Sequence, residues 1–258
     1  MSQERTKLVI GNWKMELSYK GQVELGRSLK ILLHGTVADE VQVVVCPSYP
    51  VLFEMRTMFE KSGVVVGAQH VHWEERGPWT GAVSVTQLAP LVEWCIVGHS
   101  EQRYLAGITD EQVCLSAHLL LQHGMLPIVC VGETQEERAQ DATVRKVTEQ
   151  VTSLFRKATR TSLRKLVIAY EPVWAIGSGE LPDPGETASV MLLVRKLAAE
   201  RFGGEAAERL RVIYGGSVNP TNAASYVAEP GVDGVLVGGA SVHPRQFADI
   251  IKIVQGAT

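Results

Sequence analysis

Apolar residues along this chain follow two alternating patterns. Short runs that are almost continuously apolar recur from the first residues to the last, and amphipathic stretches lie between them. Runs without polar alternation are typical of parallel strands that are buried on both faces. They predict eight strands, at Leu8–Gly11, Val41–Cys46, Val64–Ala68, Cys95–Gly98, Leu126–Val131, Lys165–Tyr170, Arg211–Tyr214 and Gly234–Val237.

The stretches between these runs have helical spacing. In 191–197 an apolar face is followed by charged residues, and 144–151 alternates in a similar way. Eight strand–helix units without a linker predict an α/β fold, a single closed (β/α)8 barrel with eight parallel strands and one domain over residues 1–258. A doubly wound open sheet is the structural alternative, because eight parallel strands can also lie flat.

Composition narrows the class of function. The 258 residues are 45% hydrophobic, which is enough for one large core, and the formal net charge of −3 gives no support for binding to nucleic acid or to an anionic membrane. No apolar run approaches the ~20 residues of a membrane-spanning helix. The polar start, Met1 to Lys7, argues against a signal peptide, so we expect a cytoplasmic protein.

Cysteine and histidine spacing does not predict a metal or disulfide site. The cysteines are scattered without a Cys-x-x-Cys pair, which is typical of reduced core residues in a cytosolic protein. They are Cys46, Cys95, Cys114 and Cys130. His70 and His72 lie near each other, but no third ligand is evident, so we expect neither a metal nor another cofactor.

A carboxylate follows the sixth run and is the first candidate for chemistry. Active sites of (β/α)8 barrels lie where the strands end, and Glu171 stands at such an end. Pro172 holds Glu171 out of helical conformation, and the Gly177-Ser178-Gly179 tip can turn amides towards a ligand. This pattern predicts a catalytic acid or base with a flexible lid, although Glu before Pro at a strand end is also common without catalysis.

Other strand ends add complementary groups. Asn12 and Lys14 follow the first run and His99 follows the fourth. Gly215-Gly216-Ser217 and Gly238-Gly239 follow the last two runs, where barrels bind phosphate through backbone amides. Each group also has a purely structural explanation. The lysine can be a solvated surface residue, the histidine can be a buried core residue, and tight turns often need glycine. Together these groups predict proton transfer between adjacent carbons of a phosphorylated hydroxy-carbonyl compound.

Six blocks occur in an order that is specific to one enzyme family. They are Gly11–Met15, Ile96–Glu101, Pro127–Thr134, Ala169–Gly179, Tyr214–Pro220 and Leu236–Ser241. On these blocks the chain resembles the triosephosphate isomerase family along essentially its whole length. The resemblance implies a TIM barrel and the interconversion of dihydroxyacetone phosphate and D-glyceraldehyde 3-phosphate in glycolysis and gluconeogenesis, without a cofactor.

The resemblance also implies a role for each candidate residue. Glu171 would move the proton, a neutral His99 would polarise the substrate oxygens, and Asn12 and Lys14 would stabilise their charge. The pairing of a glutamate base with a neutral histidine is already known for this family, and we carry it over by similarity. The residues that would hold the phosphate under the lid are Gly177, Ser217, Gly238 and Gly239.

Family members are typically homodimers, and this chain departs from the family at the residues of the interface. The resemblance places the intersubunit loop at about His70 to Val83, with Thr80 at the contact. Gln102 and Ala82 stand where the family usually has an arginine and a glutamate that pair across the interface, so both partners are neutral here. Trp73 and Trp79 add apolar area that can replace the ion pair.

The lid also departs from the family. Its trailing end reads Glu180-Leu181-Pro182 instead of Lys-Thr-Ala. In the family a backbone amide at the last position bonds to the tyrosine that matches Tyr214, and proline has no amide hydrogen. We therefore expect altered lid kinetics with the chemistry intact.

Two other functions remain open at the level of the sequence. The departures near Trp79 and Pro182 motivate a paralogue that acts on a four-carbon sugar phosphate, such as an erythrulose phosphate isomerase. A non-catalytic barrel that binds phosphorylated ligands is the alternative of another class. The presence of Glu171, His99 and Lys14 together argues against it.

Overall fold

Eight parallel strands close into a barrel in the computed structural model, which describes residues 5–35, 41–177 and 179–256. The strands are β1 (Lys7–Asn12), β2 (Val41–Cys46), β3 (Val64–Ala68), β4 (Trp94–Val97), β5 (Leu126–Val131), β6 (Val167–Tyr170), β7 (Arg211–Tyr214) and β8 (Gly234–Val237). Each strand pairs with the next, and β1 also pairs with β8, with Leu8 opposite Gly234. The predicted (β/α)8 barrel is confirmed. The open-sheet alternative is wrong, because neither terminal strand is left as an edge.

Helices connect the strands across the outside of the barrel. In the described part of the chain they are α1 (Tyr19–Leu32), α2 (Leu52–Phe59), α3 (Val85–Leu88), α4 (Ser100–Tyr104), α5 (Asp110–Gln122), α6 (Gln135–Ala139), α7 (Thr143–Phe155), α8 (Pro184–Phe202), α9 (Gly204–Glu208), α10 (Ala223–Val227) and α11 (Pro244–Gln255). The amphipathic stretches 144–151 and 191–197 lie in α7 and α8, as predicted. No helix among the described residues has the length and apolar character needed to cross a bilayer.

Three predicted strands differ from the structure in their bounds. β1 runs Lys7–Asn12 and is one residue longer at each end than the predicted Leu8–Gly11, and β4 and β6 differ for local reasons. β4 runs Trp94–Val97 and not Cys95–Gly98, because Gly98 has a φ of 68° and turns the chain out of the strand. β6 begins at Val167 and not at Lys165, because Leu163–Lys165 forms a 3₁₀ turn. The carboxyl ends of these strands move by at most one residue, so the candidate site stays in the predicted place.

The core has two layers, which explains the continuously apolar runs. Alternate strand residues such as Leu8 and Ile10 fill the barrel interior, and the residues between them, such as Val9, pack outward against the helices. All four cysteines are buried and unpaired, as the sequence predicts.

Polar caps start the helices that follow the site loops. The Asp183 side chain accepts a hydrogen bond from the Glu186 amide, and Pro184 occupies the first turn of α8. The cap at Asp183 therefore marks the end of the loop after β6 and the start of α8. Thr134 and Glu137 form a reciprocal capping box at α6, directly after β5.

Candidate active site

The barrel gathers the candidate residues at the carboxyl ends of its strands. Asn12 ends β1, and Glu171 follows β6 directly. A cavity of about 470 Å³ opens at this face, and Lys14, Gly177, Ser217, Gly238 and Gly239 are among its lining residues. Glu171, His99 and Asn12 are almost fully buried, and a chain of contacts through Glu101 joins Glu171 and His99 to Lys14.

The Glu171 carboxylate is buried beside His99. Its side chain is 2% exposed, and its Oε1 lies 3.4 Å from Nε2 of His99. The backbone amide of Ser100 donates to Oε2 at 3.1 Å. A Cβ at Gly215 would stand 2.8 Å from Cγ of Glu171, so only glycine leaves room for this side chain. A carboxylate removed from water is costly unless a few directed contacts hold it, as they do here.

A hydrogen bond from the backbone amide of Glu101 fixes the orientation of the His99 ring. The ring is nearly buried, and Nδ1 accepts a hydrogen bond from the Glu101 amide at 3.3 Å. A ring nitrogen that accepts a hydrogen bond carries no proton, so this geometry corresponds to a neutral imidazole with its hydrogen on Nε2. The same Nε2 faces Glu171. The arrangement presents a neutral hydrogen-bond donor and a carboxylate at one point of the barrel mouth.

Lys14 adopts a left-handed backbone conformation that several contacts stabilise. Its φ is 49°, which is uncommon for a residue with a side chain. Its amide donates to Oδ1 of Asn12 at 3.2 Å, and its carbonyl accepts from Nε2 of Gln69 at 2.9 Å. The ammonium group forms an ion pair with Glu101 at 2.5 Å and lies beside Gly238. The backbone strain thus turns a cation towards the cavity.

The glycine-rich turns supply unpaired amides to the same cavity. The backbone amides of Gly177, Ser217, Gly238 and Gly239 donate to no other group among the described residues. The Ser217 hydroxyl donates to the Ala175 carbonyl at 2.6 Å and holds the β7 turn against the loop after β6. Free amides that converge on one cavity next to an ammonium group suit an anion. Ser178 lies outside the described residues.

The leading end of the loop after β6 is anchored by a buried carboxylate. Glu133 accepts a hydrogen bond from the indole of Trp174 at 2.9 Å and from the hydroxyl of Tyr170 at 3.2 Å. Burial raises the pKa of Glu133, and these two hydrogen bonds oppose the shift. The Arg138 guanidinium lies over a Trp174 ring, with its central carbon 4.1 Å from the ring centre.

The structure also brings together residues that sequence reasoning missed. Glu101 links Lys14 to His99, since its carboxylate pairs with the Lys14 ammonium and its backbone amide donates to Nδ1 of His99. Gln69 and Glu133 follow the ends of β3 and β5, so the strand-end rule would have found them had it been applied to every strand. Across the described residues no group of three or more His, Cys, Asp or Glu side chains is arranged to hold a metal ion.

Comparisons with known proteins agree on one family. The family model described as triosephosphate isomerase matches residues 7–254. A triosephosphate isomerase of Carboxydothermus hydrogenoformans is 40% identical over 250 residues, which are 96% of this chain and 98% of that protein. Triosephosphate isomerases of Alkaliphilus oremlandii and Clostridium perfringens are each 37% identical over 249 residues, 96% of this chain and 99% of theirs.

Proposed function

Because this chain belongs to the triosephosphate isomerase family, and is thus an aldose–ketose isomerase, we propose that it interconverts dihydroxyacetone phosphate and D-glyceraldehyde 3-phosphate. The reaction moves one proton between neighbouring carbons and leaves the phosphate ester intact. The observation that carries this proposal is the buried Glu171 carboxylate, with its Oε1 3.4 Å from Nε2 of His99. The place in glycolysis and gluconeogenesis follows from the reaction.

In the proposed mechanism Glu171 takes a proton from C1 of dihydroxyacetone phosphate. The electron pair of the broken C–H bond forms the C1–C2 double bond of an enediolate, and Glu171 then returns the proton to C2. The Nε2–H of His99 donates to the substrate oxygens while their negative charge develops, and the hydroxyl proton passes between these oxygens beside it. The Lys14 ammonium and the Asn12 amide stabilise the same charge.

The phosphate is proposed to occupy the cavity of about 470 Å³. The backbone amides of Gly177, Ser217, Gly238 and Gly239, which donate to no other described residue, line it, and the Lys14 ammonium compensates the phosphate charge. Closure of the loop after β6 would bring the Gly177 amide onto the phosphate and exclude water, which would otherwise let the enediolate eliminate phosphate. Exposed residues 179–181 and the positive φ of Gly177 support a loop that moves.

Turnover of purified enzyme on glyceraldehyde 3-phosphate and on erythrulose phosphate tests the proposal. We expect fast three-carbon turnover that falls by about 10²–10⁴-fold in Glu171→Ala, as for removal of a general base. Glu171→Asp should slow turnover sharply while inorganic phosphate still binds. Glu136→Ala removes an exposed carboxylate elsewhere and should leave turnover unchanged.

Each other outcome identifies a different function. Better turnover on the four-carbon substrate would make the chain a paralogue and would make Trp79 and Pro182 candidates for specificity. Phosphate binding without turnover on either substrate would establish a non-catalytic barrel. Full activity of Glu171→Ala would show that another group acts as the base.

We also propose that the chain forms a homodimer through the loop from His70 to Val83. His72 stacks on Trp73, with ring centres 4.0 Å apart, and Trp79 packs against the same imidazole at 4.7 Å. Trp79 is 45% exposed, and Met15 and Leu105, in other loops at this end of the barrel, are 94% and 84% exposed. Large exposed apolar side chains are typical of an interaction surface. A cytoplasmic location is proposed as well, and the free cysteines support it.

A further inference from the structure

A second anchor holds the trailing end of the loop after β6. The Pro182 carbonyl accepts a hydrogen bond from the hydroxyl of Tyr226 at 2.8 Å. Pro182 is buried, whereas Gly179, Glu180 and Leu181 before it are exposed. The loop is therefore exposed to solvent up to Leu181 and becomes buried and hydrogen-bonded at Pro182.

Two tyrosines lie at this anchor, and only one bonds to the loop. Tyr226 of α10 is 2% exposed, and its ring stacks on that of Tyr214, with centres 4.0 Å apart and planes inclined by 21°. Tyr214 ends β7, directly before the Gly215-Gly216-Ser217 turn. Its hydroxyl is buried and makes no hydrogen bond of ordinary length to any described residue, and burial, followed by the neighbouring Tyr226 hydroxyl, raises its pKa. The two phenols share one environment but differ in what their oxygens contact.

The chemistry of proline explains which tyrosine bonds to the loop. Pro182 has no amide hydrogen and offers only its carbonyl oxygen. A phenol can donate to a carbonyl, and Tyr226 is placed to do so. A phenylalanine ring at position 226 would pack against Tyr214 equally well. Packing therefore does not require the hydroxyl of Tyr226.

We propose that Tyr226 is a positioning residue for the isomerase reaction. Its hydroxyl fixes the trailing end of loop 176–182, and the fixed end holds the Gly177 amide at the phosphate cavity. The inference rests on the proposed function, in that this loop closes over a phosphorylated substrate. Tyr226 acts through the loop and touches no reacting atom.

Tyr226→Phe and Tyr214→Phe test the proposal as a matched pair, because each deletes one phenolic oxygen from the same stacked pair. In Tyr226→Phe we expect the KM for glyceraldehyde 3-phosphate and the Kd for inorganic phosphate to rise roughly two- to twelve-fold, the equivalent of one neutral hydrogen bond. Turnover of unphosphorylated glyceraldehyde should stay unchanged, because its transition state does not use the phosphate cavity. Tyr214→Phe should stay within about twofold of wild type in every assay, since the Tyr214 hydroxyl makes no hydrogen bond to a described residue of the loop.

Amide hydrogen exchange of the 176–183 segment provides a readout that does not depend on activity. Faster exchange in Tyr226→Phe than in wild type and Tyr214→Phe supports the anchor even if wild type proves inactive on trioses, which would overturn only the proposed function. Equal exchange in the three proteins overturns the anchor. So does an equal loss of turnover on glyceraldehyde and on its phosphate, since that result assigns the hydroxyl to general stability.

Discussion

Glu133 shows at the scale of a single residue how the site depends on groups that touch no substrate. Its carboxylate is fully buried and fixes the Trp174 indole and the Tyr170 hydroxyl. Burial disfavours the charged form, which raises the pKa above the ordinary value of 4.5. A buried acid with a raised pKa destabilises the fold when it ionises. Its hydrogen bond from the Trp174 indole indicates a role in placing that side chain at the leading end of the loop.

The raised pKa predicts a dependence of stability on pH. The folded carboxyl keeps its proton to a higher pH than the unfolded one. Its contribution to the free energy of unfolding is therefore complete below the unfolded pKa and is lost as pH rises through the folded pKa. Glu133→Gln is neutral throughout, and its amide oxygen can still accept from Trp174. Urea unfolding from about pH 4 to about pH 8 should show the Gln variant gaining stability relative to wild type as pH rises.

Glu136→Gln is the control for this titration, because Glu136 is exposed on the neighbouring helix α6. Its stability difference from wild type should not vary over the same range. A constant difference between Glu133→Gln and wild type would show that the buried carboxyl does not titrate differently in the folded and unfolded chains.

At the scale of an element, the loop from β6 to α8 is held at both ends by parts of the chain distant in sequence. The residues at its leading end bond to Glu133 after β5, and its trailing end bonds to Tyr226 of α10. The residues between these anchors carry the Gly177 amide and are exposed at 179–181. The proposed closure of this loop would thus be a motion between two fixed ends, and its energy would depend on the residues at those ends.

Pro182→Ala should change the closure of this loop in a manner that depends on Tyr214. Alanine supplies the amide hydrogen that proline lacks, and the buried Tyr214 hydroxyl can accept it, a gain of about 0.5–1.5 kcal/mol. The lost constraint on φ offsets part of that gain. We expect a lower KM and altered phosphate elimination in Pro182→Ala, with both changes reduced in the Pro182→Ala/Tyr214→Phe double variant. Unchanged turnover, affinity and elimination in Pro182→Ala would contradict this account.

At the scale of the whole molecule, the exposed apolar loops predict a dimer that depends on Trp79. Sedimentation over about a hundredfold range of concentration should show a dimer, and Trp79→Ala should weaken it by roughly fivefold or more, as for an interface hot spot. Ile31→Ala is the matched control, since Ile31 is 77% exposed on α1, away from the loops. A single monomeric species in wild type across the range would rule out the dimer, and equal effects of both substitutions would exclude the loop.

The sequence predicted the barrel and the positions of the candidate residues because both depend on local pattern and on the direction of the strands. Glu171 and His99 follow apolar runs, and a barrel brings all such ends to one face. The contacts that organise these residues were not predictable in the same way. Lys14 meets Glu101 across 87 residues, and Tyr226 meets Pro182 across 44. Such pairs depend on side-chain directions that exist only after the barrel has closed.

Closure through β1 and β8 has a consequence for synthesis of the protein. Lys14 and Gly238 come from the first and last units of the barrel, and they meet at its seam. A nascent chain that has not yet released residues 234–237 from the ribosome holds a sheet with two free edges, at β1 and β7. Free edges pair readily with other chains. Translation therefore passes through an interval in which the chain is open to aggregation and has only part of its proposed phosphate site. Addition of the last strand ends both conditions at once.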